Sequence, residues 1–264
     1  MKTRHLLSAI AAAAAILGAS NVIAQQTQQV QQGQQQPAPL VELLGCTFNA
    51  GKNMGDVRAA SKRFNTWADQ NAVTNYTAIT LTPYVFSNQL KADALWLGAW
   101  PNGAGMGTTE AKWLATGAQT LAALEATMKC NSRALYAANV LRTPQGPPPE
   151  RDSLVMFRDC KVREGRTTPE AIAALRQWSD YMAGRGSAGF DAVLFPLGGA
   201  SPDAGGSFKT VHGFASVEEL GRGIDLFTTG GVQMQNQILG RVVDCNSPRL
   251  YLSERVRAAA PRSQ

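Results

Sequence analysis

An internal duplication constrains this chain more than any local motif does. Cys46 and Cys160 lie 114 residues apart, and the same step relates aromatic and glycine positions throughout the two halves. It carries Gly51, Phe64, Trp67, Trp100 and Gly107 onto Gly165, Trp178, Tyr181, Phe214 and Gly221. After one inserted residue, Cys130-Asn131-Ser132 recurs as Cys245-Asn246-Ser247. Self-similarity at a fixed spacing predicts two tandem copies of one structural unit.

The N-terminus has the pattern of a cleaved secretory signal peptide. Residues 1–24 combine a basic start, an apolar run and the small-residue end Val22-Ile23-Ala24. The run from Leu6 to Ala19 is shorter than the roughly 20 residues that a membrane span needs, so cleavage after Ala24 is favoured over an uncleaved anchor. We therefore expect a periplasmic or secreted protein whose mature chain has no transmembrane span.

Composition divides the mature chain further. The predicted segments are a glutamine-rich disordered leader at 25–38, repeat 1 at 39–143, a proline-rich linker at 144–150, repeat 2 at 151–257 and a C-terminal tail at 258–264. A glutamine tract buries too little apolar surface to fold by itself. Whether it is inert or acts as a spacer toward a cell-envelope partner stays open at this point.

The charge of the chain limits its partners. The formal net charge of +6 falls to +4 when Lys2 and Arg4 leave with the signal peptide. The remaining basic residues are scattered, apart from several arginines near the C-terminus. An exported protein without a dense basic patch is not expected to bind nucleic acid.

The four cysteines occupy matching places in the two copies. Export makes disulfides permissible, and four cysteines allow three pairings. A duplicated unit should carry its bond with it, which favours Cys46–Cys130 and Cys160–Cys245. A metal site is the weaker alternative, because there is no C-x-x-C and His212 is the single histidine after the signal peptide. No metal ligand is therefore assigned.

Each copy shows strand and helix patterns in the order β-α-β-β-α-β. The predicted strands are Leu40–Cys46, Tyr76–Thr82, Ala94–Trp100 and Leu135–Leu141 in repeat 1, and Ser153–Cys160, Phe190–Pro196, Phe208–Phe214 and Leu250–Arg255 in repeat 2. A capping box at Thr167-Thr168-Pro169-Glu170 starts the first helix of repeat 2. The second helix of each copy has a stripe expected to be buried: Gly117, Leu121, Leu124 and Met128 in repeat 1, and Leu220, Ile224, Phe227, Gly231, Met234, Ile238 and Val242 in repeat 2. Gly230-Gly231 is expected to interrupt or kink the latter helix.

This element order resembles the ferredoxin-like unit, and the tandem copy is similar to the dimeric α/β-barrel superfamily. The resemblance covers residues 39–257 and rests on element order and duplication. It implies an α+β fold of two ferredoxin-like repeats, packed as a pseudo-dimeric α/β barrel or sandwich, with one disulfide per repeat. Each sheet would have the strand order 4-1-3-2, in which the end of strand one lies beside the start of strand four. Both predicted disulfides suit that arrangement.

No catalytic motif is present, so the candidate site rests on one strand face. Side-chain alternation places Thr210, His212 and Phe214 on one side of a strand, at positions equivalent to Trp96, Gly98 and Trp100. The candidate ligand-binding residues are Trp96, Trp100, Thr210, His212 and Phe214. If this face lines a cavity, the cavity can bind a flat apolar ligand, and His212 can act toward it as a hydrogen-bond donor or as a base. If it packs on helices, His212 is a core histidine.

Other polar and aromatic residues have simpler interpretations. The pairs Phe64/Trp67 and Trp178/Tyr181 are expected to pack in the core, with ligand stacking as the alternative. The helical carboxylates are expected on solvated faces: Glu110, Glu125, Glu218, Glu219 and Asp225.

Two functions follow from this pattern. The first is an exported small-molecule-binding or interaction protein, with an apolar or aromatic ligand and either a monomeric pseudo-two-fold or a dimeric state. The second, implied by the resemblance, is a monooxygenase-type enzyme using His212 in an aromatic-lined cavity. Enzymes of that superfamily act without a metal or with haem, so the cofactor is not specified by the sequence.

Overall fold

The computed structural model describes residues 36–88, 90–144, 153–200 and 206–260. The predicted signal peptide, most of the glutamine-rich leader, most of the proline-rich linker and the last four residues of the tail lie outside these ranges. The predicted domain boundaries at those segments stay predictions. From Ala38 onward the chain forms one compact unit.

Nine strands and six α-helices make up the described residues. The strands are β1 (Leu40–Phe48), β2 (Thr77–Val85), β3 (Ala94–Trp100), β4 (Met128–Arg142), β5 (Ser153–Val162), β6 (Phe190–Gly198), β7 (Ser207–Phe214), β8 (Val243–Cys245) and β9 (Arg249–Arg257). The helices are α1 (Met54–Gln70), α2 (Gly103–Thr116), α3 (Ala118–Glu125), α4 (Thr168–Gly184), α5 (Val217–Leu226) and α6 (Val232–Ile238), with a π-helical turn at Phe227–Gly231. No helix in these ranges is long and apolar enough to cross a membrane.

Eight of the strands close into an antiparallel barrel. Their order around the barrel is β4-β1-β3-β2-β9-β5-β7-β6, and β6 pairs with β4 to complete the ring. The short β8 continues along β5 beyond the end of β9. The expected α+β class is confirmed, and of the two expected packings the structure has the barrel.

Several strands bury side chains on both faces, so apolar residues occur at consecutive positions along them. Leu43, Leu81, Phe157 and Tyr251 belong to the core inside the barrel. The opposite faces of β1 and β3 contribute Leu40, Cys46, Trp96 and Trp100 to a second core under α1. Alternation along each strand therefore separates a barrel-facing row from a helix-facing row.

Both predicted disulfides are present, and no cysteine is free. Cys46–Cys130 joins β1 to β4 with a Cα–Cα distance of 3.8 Å. Cys160–Cys245 joins β5 to β8 with a Cα–Cα distance of 4.0 Å. In each case the two cysteines face each other directly across an antiparallel strand pair. The pairing expected from the repeat is thus confirmed.

The second helix of the first half differs from the expectation. It is two helices, α2 and α3, separated at Gly117, and Met128 lies in β4 rather than in a helix. A Cβ at Gly117 would lie 2.5 Å from the indole of Trp113, so the ring occupies the space a side chain would need. The predicted stripe is also wrong at Leu121, which is 41% exposed.

The corresponding segment of the second half is interrupted where the glycine pair predicts. Gly230 has φ of 92° in the turn between α5 and α6, a conformation that glycine adopts without the steric cost of a Cβ. The prediction of a buried Ile224 is wrong, because this side chain on α5 is largely exposed.

Candidate functional site

Two cavities lie between the outer faces of the strands and the helices that cover them. The first cavity, of about 850 Å³, is bounded by α1, α2, α3 and the strands β1, β3 and β4. The second cavity, of about 350 Å³, is bounded by α4, α5, α6 and the strands β5, β6 and β7. Both volumes fall within the range typical of small-molecule sites.

A buried carboxyl group is the main polar feature of the first cavity. Glu42, 5% exposed on β1, accepts a hydrogen bond on Oε1 from the Tyr76 hydroxyl at 2.8 Å and on Oε2 from Arg133 Nε at 2.7 Å. Trp96 Nε1 donates to the Tyr76 oxygen at 2.9 Å, and Arg133 Nη2 also reaches Glu110 at 3.0 Å. These residues form one connected network beside the cavity.

Burial and charge shift the titration of this network. Burial raises the pKa of Glu42 above its ordinary value of 4.5, although the Arg133 charge and the Tyr76 hydrogen bond oppose the shift. Burial, followed by the negative charge of Glu42, raises the pKa of Tyr76 well above its ordinary value. Glu42 is therefore held as a more basic carboxylate than a solvated one, which suits an acceptor of protons or hydrogen bonds.

Gly98 makes room for this network. A Cβ at Gly98 would lie 2.2 Å from the Tyr76 hydroxyl oxygen and 2.5 Å from Glu42 Oε1. Gly98 pairs with Glu42 across β3 and β1, just as His212 pairs with Met156 across β7 and β5. In the first half, the Tyr76 and Glu42 side chains fill the space beside Gly98. At the equivalent position in the second half, the imidazole of His212 fills that space.

Aromatic rings form the rest of the first cavity. Trp67 and Trp113 meet edge to face with centroids 4.8 Å apart, and Phe64 meets Trp96 at 5.4 Å. Trp100, 2% exposed, also lines the cavity, and within the described residues its Nε1 has no hydrogen-bond partner. Such a wall suits a flat apolar molecule.

A different polar group adjoins the second cavity. His212 Nδ1 lies 2.5 Å from Asp191 Oδ1, and Arg142 Nη2 lies 2.8 Å from Asp191 Oδ2. The Ser179 hydroxyl also donates to Asp191. Burial raises the pKa of Asp191, but the bonds from His212 and Ser179 and the Arg142 charge outweigh it and leave the pKa lowered.

The Asp191→Asn variant is expected to lose about 2 kcal/mol of folding stability at pH 7, because the carboxylate that contacts Arg142, His212 and Ser179 is replaced by an amide. Since the folded-state pKa of Asp191 lies below its ordinary 3.8, its contribution exists above that pH and disappears as pH falls through the folded-state value. Urea unfolding of both proteins at pH 7 and near pH 2 measures this.

The exposed Asp180→Asn variant is the matched control for that comparison and should follow the wild type at both pH values. An Asp191→Asn deficit that persists undiminished at low pH would contradict the assigned role.

A third cavity, of about 750 Å³, opens at one end of the barrel interior. The charged residues Asp159, Lys209 and Arg249 line it, and the two cations bond to the carboxylate. Burial raises the pKa of Asp159, but the Lys209 and Arg249 bonds leave it lowered. The ion pairs within this cluster account for the presence of its charged residues.

The likeness of this chain to known proteins lies in its fold. No family model and no curated protein matches the chain. A candidate monooxygenase from Lactobacillus acidophilus aligns over 84% of this chain and 96% of its own, with a TM-score of 0.56 and 10% identity. A candidate monooxygenase from Fusobacterium nucleatum aligns over 84% and 94%, with a TM-score of 0.55 and 5% identity. A haem-binding protein from Thermus thermophilus aligns over 82% and 91%, with a TM-score of 0.50 and 9% identity.

The chain shares the overall fold of these solved structures, an antiparallel barrel with helices packed on its outer faces. At these identities the likeness concerns fold alone, so the residues of each cavity must be judged by their own chemistry.

Haem ligated by His212 does not fit this α/β-barrel chain. The Nδ1 of His212 is engaged by Asp191, and its Nε2 faces the backbone of Gly189, where a Cβ would lie 2.8 Å away. A bond from Nδ1 to an iron would have to break the contact with Asp191, and Gly189 crowds Nε2. Among the described residues no cluster of three or more metal-ligating side chains occurs.

The structure divides the predicted site residues between the two cavities. Trp96 and Trp100 line the first, whereas Thr210, His212 and Phe214 line the second. The face that carries them packs toward helices and also lines a cavity in each half. Ligand binding by these residues stays a prediction. Phe64 and Trp67, expected in the core, are buried and border the first cavity as well.

Sequence reasoning missed Glu42, Tyr76, Arg133 and Asp191. The expectation of solvated helical carboxylates is wrong for Glu219, which is buried and accepts from the Ala215 amide at 2.5 Å, and Glu110 is bound to Arg133. Glu125, Glu218 and Asp225 are exposed as expected. One signal was available: Glu42 alternates with Leu40, Leu44 and Cys46 on an otherwise apolar strand face.

Proposed function

We propose that this is an exported protein that binds a flat aromatic molecule with a hydrogen-bonding substituent in the first cavity. The observation that carries the proposal is Glu42, a buried carboxyl group of raised pKa at the wall of an aromatic cavity. Maintaining a charge there costs solvation energy, and the fold meets that cost with specific bonds from Tyr76 and Arg133.

The dimensions and lining of the first cavity support this ligand class. Its volume of about 850 Å³ accommodates a molecule of two or three fused rings. Phe64, Trp67, Trp96 and Trp113 offer ring faces and edges, and Glu42 retains acceptor capacity beyond the bonds to Tyr76 and Arg133. A ligand hydroxyl would donate to that carboxylate while its rings displace water from the aromatic wall.

The finer fold interpretation belongs to the same proposal. We interpret the two halves as ferredoxin-like repeats fused into a pseudo-dimer, supported by the equivalent strand pairings around Gly98 and His212. Because both repeats belong to a single chain, substitutions can alter the residues of one cavity and leave those of the other unchanged. This supports a monomer whose two cavities take different ligands.

The direct test is calorimetric titration with 2-naphthol. The Glu42→Gln variant is expected to bind about tenfold more weakly at pH 7, because it loses a charged hydrogen-bond acceptor. Wild-type affinity should rise as pH increases through the pKa of Glu42, above 4.5, because the carboxylate is the better acceptor. The variant should show no such rise.

Exposed Glu164→Gln is the matched control and should bind as the wild type does. Tyr76→Phe, which keeps the carboxylate, provides a second variant should Glu42→Gln fold poorly. Equal affinity of wild type and Glu42→Gln for 2-naphthol at every pH would refute the assigned site. Four of the five tryptophans adjoin this cavity, so quenching of their fluorescence reports its occupation.

Export and the role of the leader are part of the proposal. A chain that begins at Gln25 after processing, with the glutamine-rich segment as a spacer toward the envelope, agrees with the signal-peptide pattern of residues 1–24. Native mass spectrometry of protein purified without reductant measures the N-terminus, the oligomeric state and any ligand retained. A chain that still begins at Met1 would contradict export by cleavage.

A monooxygenase-type enzyme is the second candidate. It is favoured by the presence of a possible base next to each cavity: Glu42 in the first, and His212 held by Asp191 in the second. Oxygen uptake in the presence of a hydroxylated aromatic substrate separates the candidates. Uptake that is abolished in Glu42→Gln or His212→Ala supports the enzyme; binding without uptake supports the binding protein.

A further inference from the structure

The second cavity contains a cation that the fold does not neutralise. Arg158 lies on β5, with Leu154, Met156 and Cys160 on the same helix-facing side, and it pairs with Thr210 of β7. Its side chain lines the second cavity. The other walls of that cavity are mainly apolar, including Leu175, Trp178, Phe214, Leu239 and Leu250.

Three other arginines near the cavities and the barrel have acidic partners. Arg133 bonds to Glu42 and Glu110, Arg142 to Asp191, and Arg249 to Asp159. Arg158 has no ion pair with any described residue, and its buried Nε has no hydrogen-bond partner among them. Burial alone lowers its pKa, with no contribution from a neighbouring charge. An arginine remains protonated in such a place, so the positive charge stays uncompensated.

Packing does not account for this arginine. The position equivalent to Arg158 in the first half is Leu44, which pairs with Trp96 as Arg158 pairs with Thr210. Leu44 packs against the core of the first half. A leucine is therefore compatible with this place in the fold, and the guanidinium group needs another explanation.

The one acid in the second cavity does not supply the missing partner. Asp191 also lines the cavity, but its oxygens bond to His212, Ser179 and Arg142. Because these partners already balance the charge of the carboxylate, Asp191 repels an incoming anion only weakly. The Thr210 hydroxyl, next to Arg158 in the strand pair, is a further donor on the same wall.

We propose that the second cavity binds a small apolar carboxylate, with its carboxylate on the Arg158 guanidinium and its hydrocarbon part against Leu175, Trp178 and Phe214. A guanidinium can hold a carboxylate through two parallel hydrogen bonds, which neutralises the charge and satisfies its donors together. The volume of about 350 Å³ is at the lower end for ligand sites, which favours a medium-chain aliphatic acid. This site is distinct from the first cavity and does not depend on the function proposed for it.

The test uses octanoate and its uncharged analogue octanamide on the full mature protein by titration calorimetry. Wild type should bind octanoate about 30-fold more tightly than octanamide, as expected for a charged pair of hydrogen bonds. Arg158→Leu should lose this preference and bind both equally weakly. Arg63→Leu, the same change at an exposed position of α1, should keep the wild-type preference.

Stability provides the second readout. Arg158→Leu removes an unpaired charge from an apolar wall, so without ligand it should melt at a higher temperature than the wild type. Octanoate should raise the melting temperature of the wild type and leave that of the variant unchanged. Arg158→Gln, closer in shape, should show the same loss of preference if the leucine variant folds poorly.

Three results would overturn the proposal: equal binding of octanoate and octanamide by the wild type, no binding of either, or full octanoate affinity in Arg158→Leu. Failure of 2-naphthol to bind the first cavity would leave this outcome unaffected, because the two cavities share no lining residue.

Discussion

Replacing Cys46 and Cys130 together by alanine is expected to lower the free energy of unfolding by about 4.5 kcal/mol. The bond closes a loop with a sequence separation of 84 residues, and cross-linking such a loop removes about that much chain entropy from the unfolded state. For a domain of this size the loss corresponds to a fall in melting temperature of about 10–15 °C. A domain near the lower end of the usual stability range of about 5–15 kcal/mol would not remain fully folded at 37 °C after such a loss.

Urea unfolding of the double variant beside the wild type measures the effect. The equivalent Cys160/Cys245 double variant is the matched comparison, because its loop has a separation of 85 residues and the same expected cost. Reduction of the wild type with dithiothreitol should give at least the larger of the two losses. A loss below about 1 kcal/mol in either variant would mean that the unfolded chain is already restricted.

The Gly98→Ala variant is expected to lose about 3 kcal/mol of stability, a large effect for one added methyl group. Its Cβ would lie 2.2 Å from the Tyr76 hydroxyl oxygen and 2.5 Å from Glu42 Oε1, both buried. Overpacking of a core costs 1–3 kcal/mol, and a buried polar group that loses its partner costs about as much. Because the methyl group separates Tyr76 from Glu42, we also expect 2-naphthol binding to be lost.

Gly107→Ala is the control for this prediction. Gly107 lies within α2, and no heavy atom lies within 4 Å of the Cβ it would carry. Alanine is the better helix former by about 0.8–1 kcal/mol, so this variant should be more stable than the wild type. Thermal melts of the two variants should therefore shift in opposite directions. A Gly98→Ala protein as stable as the wild type would show that Tyr76 can move aside.

The disulfides could be predicted because they depend on long-range regularity in the sequence. Cys46 and Cys160 lie 114 residues apart and Cys130 and Cys245 lie 115 apart, so each cysteine has a counterpart. If the two halves are copies of one unit, they should share one pairing. The α+β class followed from the alternation of strand and helix patterns. Such patterns can still be detected when a single helix or strand is irregular, because they are spread over many residues.

The polar network was not predictable, because it joins residues far apart in sequence. Glu42 meets Tyr76 and Arg133 only after β1, β4 and the segment before β2 come together. A lone glutamate in a strand usually marks a solvated face, and periodicity cannot show that a helix covers it. The break at Gly117 was missed for a similar reason: it depends on where the Trp113 ring packs.

Neither disulfide links the two halves of the barrel. Each bridge holds a half to itself, and the halves meet through the pairing of β4 with β6 and of β2 with β9. Apart from the continuity of the chain, the described contacts that hold the halves together are therefore non-covalent. Two fragments cut between the halves would each keep their own disulfide. The pairing of β2 with β9 and of β4 with β6 would then have to hold the fragments together.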